Sequence, residues 1–162
     1  MTDLKNALVT VQLREPNSLR CGERATFFTT GLQITLDMAE DFGRLPNDME
    51  LVVFRLIQEC LTNIHRHSGS KTASIRINRD AGQVTVEVRD QGSGMSPERL
   101  ALVQSGTSGV GIRGIRERLR QFKGEMKIQS DSSGTRISVA IPVRENAIAQ
   151  DESSPESLQA AI

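Results

Sequence analysis

Apolar and polar residues alternate along several short stretches of the chain, which is the period expected of strands with one buried face. These stretches cover residues 31–37, 73–78, 83–90 and 135–143, with a shorter one around Met126 and Ile128. Turn-forming residues join them in pairs, Asp80-Ala81-Gly82 in one case and Ser132-Ser133-Gly134 in the other. The pattern therefore predicts a sheet that contains hairpins.

Apolar residues recur at steps of three and four after Pro46, and this spacing predicts the longest helix of the chain. Asn47 or Asp48 is the expected N-cap, and Ser68-Gly69-Ser70 ends the helix near His67. The core-facing stripe consists of Val53, Ile57, Cys60, Leu61 and Ile64.

A second edge of this helix carries the polar residues Glu59, Asn63 and His67 at four-residue spacing, with Arg66 one position away. Such a row is usually the solvated face of a helix that covers a core. The helix by itself leaves open whether these side chains face only water or also a ligand.

The remaining segments have weaker patterns. Residues 18–29 are predicted to be weakly helical, whereas residues 1–17 fit a helix or a strand equally well. Ser96 as N-cap and Pro97 at the first position predict a short helix over about residues 97–104. The chain accordingly divides into a segment 1–24 of uncertain structure, a domain over 25–143 and a polar, disordered tail over 144–162.

The composition fits one soluble domain and excludes several classes of protein. The 162 residues carry 20 basic and 20 acidic side chains and neither Trp nor Tyr, so nothing favours a nucleic-acid surface. No apolar run approaches the length of a membrane span, and the N-terminus has no signal-peptide pattern. Cys21 and Cys60 lack metal-ligand spacing, and a reduced, cytoplasmic setting is expected.

Asp90 stands at the end of the strand that Val84, Val86 and Val88 predict, and the chain continues as Gln91-Gly92-Ser93-Gly94. Glycines at this spacing let a flat ligand approach the backbone, and a carboxylate beside that gap can accept a hydrogen bond from the amine of adenine. Taken alone, the motif is equally compatible with an ordinary hairpin turn.

Residues 105–114 contain Gly106, Gly109, Gly111 and Gly114 and lead into a helix that begins at Ile112 or Ile115 and runs to about Phe122. A glycine-rich loop that enters a helix N-terminus can bind an anion through unpaired backbone N–H groups. The alternative is a mobile linker before a basic amphipathic helix. The segment has neither the Gly-Lys-Ser/Thr of a P-loop nor the preceding hydrophobic strand of a dinucleotide fingerprint.

Three blocks in this order resemble the N, G1 and G2 boxes of the GHKL ATPase superfamily. They are residues 58–67, residues 90–94 and residues 109–118, and the pair Gly134-Thr135 follows. The likeness is strongest to the catalytic, ATP-binding domain of sensor histidine kinases of the nitrate/nitrite-sensor type. It implies an α/β (α+β) fold, a two-layer sandwich of the histidine kinase-like ATPase (Bergerat) type with a mixed sheet and helices on one face.

The resemblance also implies a role for each matching residue. Asp90 would bind the adenine amine, Gly92 and Gly94 would leave room for the base, and Thr135 would support it. The remaining assignments concern the phosphates of ATP and one Mg²⁺ ion. Asn63 would hold the Mg²⁺, Glu59 would orient or deprotonate the attacking group, Arg66 and His67 would lie near the phosphates, and Gly109, Gly111 and Gly114 would form the hinge of a lid.

The resemblance stops upstream of this domain, where the family carries a phosphoacceptor histidine on a dimerising helix pair. The chain has two histidines, His65 and His67, and both lie in the predicted nucleotide helix. We therefore expect an incomplete kinase that needs a dimerisation and phosphoacceptor domain in cis or in trans, with a response regulator downstream. An anti-sigma-factor-type serine/threonine kinase and a non-catalytic ATP-binding interaction module are the alternatives.

Overall fold

The computed structural model describes residues 24–29, 31–38, 42–80, 82–107 and 110–143. These residues form six strands, β1 (Arg24–Thr29), β2 (Leu32–Met38), β3 (Thr72–Asp80), β4 (Gln83–Asp90), β5 (Glu125–Asp131) and β6 (Gly134–Pro142). They also form three α-helices, α1 (Asn47–Asn63), α2 (Pro97–Ser105) and α3 (Val110–Gln121), and a π-helical turn, Ile64–Ser68, that continues α1. None of the described helices is long and apolar enough to cross a membrane.

The strands form one mixed sheet in the order β1-β2-β3-β4-β6-β5. β2 and β3 are parallel, and α1 lies between them in the chain, whereas every other neighbouring pair is antiparallel. Along β3 and β4 buried residues alternate with exposed or half-buried ones, so one face of the sheet is covered. The predicted two-layer α/β sandwich with a mixed sheet is therefore confirmed.

Helix α1 covers the sheet through a wide apolar face. Seven of its residues are buried, namely Met49, Val52, Val53, Leu56, Ile57, Cys60 and Leu61. The strands meet this face with β-branched residues such as Ile77, Val84 and Ile141, each of which is essentially inaccessible to solvent. The three- and four-residue spacing that predicted α1 is the spacing that places these side chains on the sheet.

The prediction of a weak helix over residues 18–29 is wrong where the structure describes it. Residues 24–29 form β1, an edge strand that pairs antiparallel with β2 from Arg24↔Asp37 to Thr29↔Leu32. Thr26, Phe27 and Phe28 are residue types that favour strands, and β2 supplies the backbone partners that a short helix would have had to find internally. Residues 1–23 and 144–162 lie outside the described residues.

The glycine-rich segment also differs from its prediction, because α3 begins at Val110 and thus contains Gly111 and Gly114. Two helical glycines cost about 1 kcal/mol each relative to alanine. The buried stripe of Ile112, Ile115 and Leu119 offsets that cost by packing against the core. Of the predicted loop, the described residues outside a helix are Gly106 and Thr107, and Gly109 lies outside the described residues.

Two leucines on α1 test this packing. Leu56 is 1% exposed and Leu51 is 45% exposed. Leu56→Ala should lower the free energy of unfolding by about 2–5 kcal/mol because it leaves a cavity between α1 and the sheet. Leu51→Ala makes the same chemical change at a partly solvated position and should cost less than about 1 kcal/mol. Urea denaturation followed by circular dichroism measures both, and equal losses would contradict the assigned face of α1.

Candidate functional site

A cavity of about 440 Å³ opens between α1 with its π-helical turn, the end of β4, and α2. The polar part of its wall comes from Glu59, Asn63, His67, Ser68, Asp90, Ser96, Arg99 and Thr135. The apolar part comes from Cys60, Ile64, Val88, Met95, Val103, Ile112, Ile128 and Ile137. Six of the residues that the sequence predicted as site residues thus line one space, namely Glu59, Asn63, His67, Asp90, Gly94 and Thr135.

Glu59 and Asn63 stand one helical turn apart on the edge of α1, and both are half-buried. The Asn63 side-chain Nδ2 donates to Glu59 Oε1 over 3.4 Å. That bond uses the amide nitrogen, so the amide oxygen of Asn63 is left as an acceptor. The wall of the cavity therefore presents a carboxylate and an amide oxygen side by side.

The π-helical turn Ile64–Ser68 ends α1 and contributes side chains to the cavity wall. His67 lines the cavity, whereas Arg66 is exposed and does not. His67 lies four positions after Asn63 and lines the cavity together with it, although both His67 and Arg66 are exposed. The placement of Arg66 near phosphates therefore stays a prediction.

Asp90 is 3% exposed and one of two buried polar residues in the described part of the chain. Its Oδ1 accepts the backbone N–H of Gly92 over 2.7 Å. An ionised carboxylate has about four lone-pair sites, and this bond uses one of them. Because Asp90 also lines the cavity, it can accept a further hydrogen bond from a bound amine.

The glycines beside Asp90 are sites of close backbone packing. A Cβ on Gly92 would overlap the carbonyl and side chain of Ser68, and a Cβ on Gly94 would overlap the Asp131 carbonyl. Ser68 thus occupies the space that a side chain on Gly92 would need, and the role of Gly92 beside the base stays a prediction. Gly94, with φ of +67°, lines the cavity through its backbone.

Sequence reasoning missed Ser130, a residue of β5 that connects the loop after Asp90 to β6. Its Oγ accepts the Met95 N–H over 2.9 Å, is hydrogen-bonded to Thr135 Oγ1 over 2.9 Å and donates to the Gly134 carbonyl over 3.2 Å. A serine near a turn carries no pattern in the sequence that would reveal partners both in β6 and in the loop after Asp90. Ser130 thereby fixes the backbone of the Asp90 loop and the hydroxyl of Thr135.

The far side of the cavity is built by α2 and the start of α3. The Ser96 side chain caps α2 by accepting the Arg99 N–H, as predicted. Gln104 Nε2 donates to the Ile128 carbonyl over 3.0 Å, and Arg116 Nη1 donates to the Gln104 carbonyl over 2.6 Å. These bonds fasten the end of α2 to β5 and to α3.

The predicted lid glycines do not line the cavity where they are described. Gly111 lies in the first turn of α3 beside Glu59, and Gly114 faces open space. Both residues lie in α3 and not in a loop, and their role as the hinge of a lid stays a prediction. Their contacts with phosphates stay a prediction.

Cys60 lines the cavity as an apolar surface. Burial, and secondly the neighbouring Glu59 carboxylate, raise the pKa of its thiol to about 12. The thiol therefore stays protonated near neutral pH and is not a nucleophile. This agrees with the prediction that Cys60 is a small core residue.

Comparisons with known proteins agree with this geometry. The family model described as "Histidine kinase-, DNA gyrase B-, and HSP90-like ATPase" matches residues 49–145. The sensor histidine kinase MctS of Rhizobium johnstonii is 28% identical over 117 residues, which are 72% of this chain and 25% of that protein. The signal transduction histidine-protein kinase/phosphatase UhpB of Salmonella typhimurium is 31% identical over 114 residues, which are 70% of this chain and 21% of that protein.

A solved structure shows the same fold. The histidine kinase domain of the blue-light activated histidine kinase of Erythrobacter litoralis EL346 superimposes with a TM-score of 0.60 at 21% identity. The superposition covers 70% of this chain and 52% of that one. The chain spans about a quarter of the length of the two curated relatives described above. Since the family model matches more than half of the chain, the chain belongs to the histidine kinase-, DNA gyrase B- and HSP90-like ATPase family.

Proposed function

We propose that this chain is the ATP-binding catalytic domain of a two-component sensor histidine kinase. It would transfer the γ-phosphate of ATP to a histidine supplied by another domain or chain. The observation that carries the proposal is one cavity whose wall contains both the buried Asp90 carboxylate and the Glu59–Asn63 pair. The arrangement offers an acceptor for a base amine and oxygen ligands for a phosphate-bound cation within one space.

The base would bind between the apolar walls with its amine on Asp90. Val88, Met95 and Ile137 supply flat apolar surface next to the carboxylate. Ser130 holds Thr135 on the same side, so the Thr135 hydroxyl can support the base or a bound water. Guanine carries a carbonyl oxygen where adenine carries its amine, so the carboxylate would repel it and select adenine.

The wall beside Glu59 and Asn63 would hold the phosphates and Mg²⁺. Mg²⁺ prefers oxygen ligands and is commonly held by one or two protein groups together with waters and substrate phosphates. Asn63 fits this requirement through its amide oxygen, and the described residues contain no larger cluster of His, Cys, Asp and Glu that would hold a metal alone. Bound Mg²⁺ would neutralise phosphate charge.

Glu59 would act on the attacking group. Its carboxylate lines the cavity next to Asn63 and would orient the imidazole nitrogen, or accept its proton, as that nitrogen attacks the γ-phosphorus. His67, on the same wall, would interact with the phosphates. Arg66 and the predicted lid glycines Gly109 and Gly114 would approach them when nucleotide binds.

The proposal also specifies partners. A histidine-bearing dimerisation domain would present the attacking nitrogen, and a response regulator would receive the phosphoryl group afterwards. Because the reaction consumes ATP, we propose that the domain acts in the cytoplasm. Calorimetric titration with a non-hydrolysable ATP analogue, with and without Mg²⁺ and with a GTP analogue as control, tests the nucleotide site. Saturable, adenine-selective binding supports the proposal, and no binding refutes it.

Asp90→Asn tests recognition of the base. The amide keeps the size of the carboxylate, and its oxygen can still accept the Gly92 N–H. Its NH₂ group would face the adenine amine, and two donors cannot form a hydrogen bond with each other. We expect affinity for the ATP analogue to fall by about 10- to 100-fold, as befits a lost hydrogen bond to a charged group. Calorimetry measures the affinity, and thermal unfolding without ligand should change little.

Asp80→Asn is the matched control, since Asp80 is an exposed residue at the end of β3. It should leave the affinity unchanged. If Asp90→Asn binds the analogue as tightly as Asp80→Asn does, Asp90 is a structural turn residue and the adenine assignment is wrong.

Asn63→Ala tests the metal ligand. We expect the dependence of nucleotide affinity on Mg²⁺ to disappear, because the amide oxygen on this wall is removed while Asp90 still binds the base. Titrations at several Mg²⁺ concentrations measure that dependence, and Asn78→Ala, on the exposed side of β3, is the control. An Mg²⁺ dependence that survives in Asn63→Ala would assign the metal to other groups.

A further inference from the structure

Two glycines of α3 have different surroundings, although both were predicted to belong to one flexible loop. A Cβ on Gly111 would overlap the side chain of Glu59, whose Oε1, Cδ and Oε2 are the three nearest atoms. A Cβ on Gly114 would meet nothing within 4 Å. The absence of a side chain therefore has a steric consequence at Gly111 and none at Gly114.

The first turn of α3 is held against α1 by its own packing. Ile112 and Ile115 are 8% and 5% exposed, and both follow Gly111 closely in the chain. The Arg116 guanidinium donates to the Gln104 carbonyl over 2.6 Å and joins α3 to the end of α2. Gly111 consequently cannot move away from Glu59 without disturbing these contacts.

The Glu59 carboxylate is confined from the other side as well. Asn63 Nδ2 donates to it over 3.4 Å, and both residues are half-buried on α1. The positive end of the α3 dipole is favourable for a carboxylate beside the first turn. Glu59 thus lies between the amide of Asn63 and the bare backbone of Gly111.

We propose that Gly111 is a positioning residue for the Glu59 carboxylate. Its lack of a side chain lets the first turn of α3 close onto Glu59 and so fixes where this carboxylate stands in the cavity. Any side chain at position 111 displaces the carboxylate from Asn63. The inference rests on the proposed function for the catalytic use of Glu59, and it gives Gly111 a role other than that of a lid hinge.

Thermal unfolding of the ligand-free protein tests the contact through a cycle of variants. Gly114→Ala is the control, because alanine favours a helix over glycine and its Cβ meets nothing there. It should raise Tm by about 2–5 °C in the wild-type and in the Glu59→Ala background alike. In the Glu59→Ala background, Gly111→Ala should raise Tm by the same amount. In the wild-type background, where Glu59 is present, Gly111→Ala should leave Tm unchanged or lower it. Equal shifts of Tm in both backgrounds would overturn the proposal.

Turnover of ATP, as hydrolysis or as transfer to an added histidine-bearing helical domain, separates positioning from a general loss of structure. Gly111→Ala should lower kcat at least about tenfold and change KM less than about threefold, because the base site at Asp90 is intact. Adding Glu59→Asp to Gly111→Ala should restore part of kcat, because the aspartate side chain is one methylene shorter than glutamate and its carboxylate avoids the new Cβ. A rise in KM without rescue by the Asp variant would assign Gly111 to nucleotide binding instead.

The inference and the proposed function fail in distinguishable ways. Coupling between positions 59 and 111 in the melting cycle, with no binding of the ATP analogue, would keep the contact and refute the nucleotide function. Binding of the analogue without such coupling would keep the function and refute the role of Gly111.

Discussion

The site depends on one contact, in which the end of the long helix packs onto the loop after β4. The Ser68 carbonyl accepts the Ser93 N–H over 2.9 Å, and Ser68 fills the space that a side chain on Gly92 would need. Ser68 itself is fixed, because its hydroxyl donates to the Ile64 carbonyl over 2.8 Å and accepts the Ser70 N–H over 3.0 Å. The contact holds the end of the helix that carries Asn63 against the loop that follows Asp90, and both residues line the cavity.

The parts of the site that could be predicted from the sequence are those encoded by local periodicity. The four-residue step from Glu59 to Asn63 places both on one helix edge, and the alternation of Val84, Val86 and Val88 delivers Asp90 to the end of a strand. Each of these two predictions follows from the residue spacing within a single helix or strand. The meeting of the two elements was predicted through the family resemblance, because no single-element pattern carries it.

The failures share a physical cause, which is that the deciding partners are distant in the chain. Residues 24–29 form a strand because β2 pairs with them. Helix α3 begins at Val110 because Ile112 and Ile115 pack in the core. The close packing of Gly92 against Ser68 was not predicted for the same reason, since Ser68 lies 24 positions earlier. Ser130 was not predicted, because a single hydroxyl produces no periodic pattern and one of its partners, Met95, lies 35 positions earlier.

The burial of Asp90 is the strongest argument that the cavity exists for a ligand. Removing a carboxylate from water costs free energy unless hydrogen bonds replace the lost hydration. In the described part of the chain the side chain of Asp90 has one such bond, from Gly92, which leaves most of its acceptor capacity directed at the cavity. If this buried position had no function, the protein would be more stable with an apolar residue of similar size there. A bound amine would supply a further partner, so under the proposed function the carboxylate would contribute affinity and selectivity when the base is present.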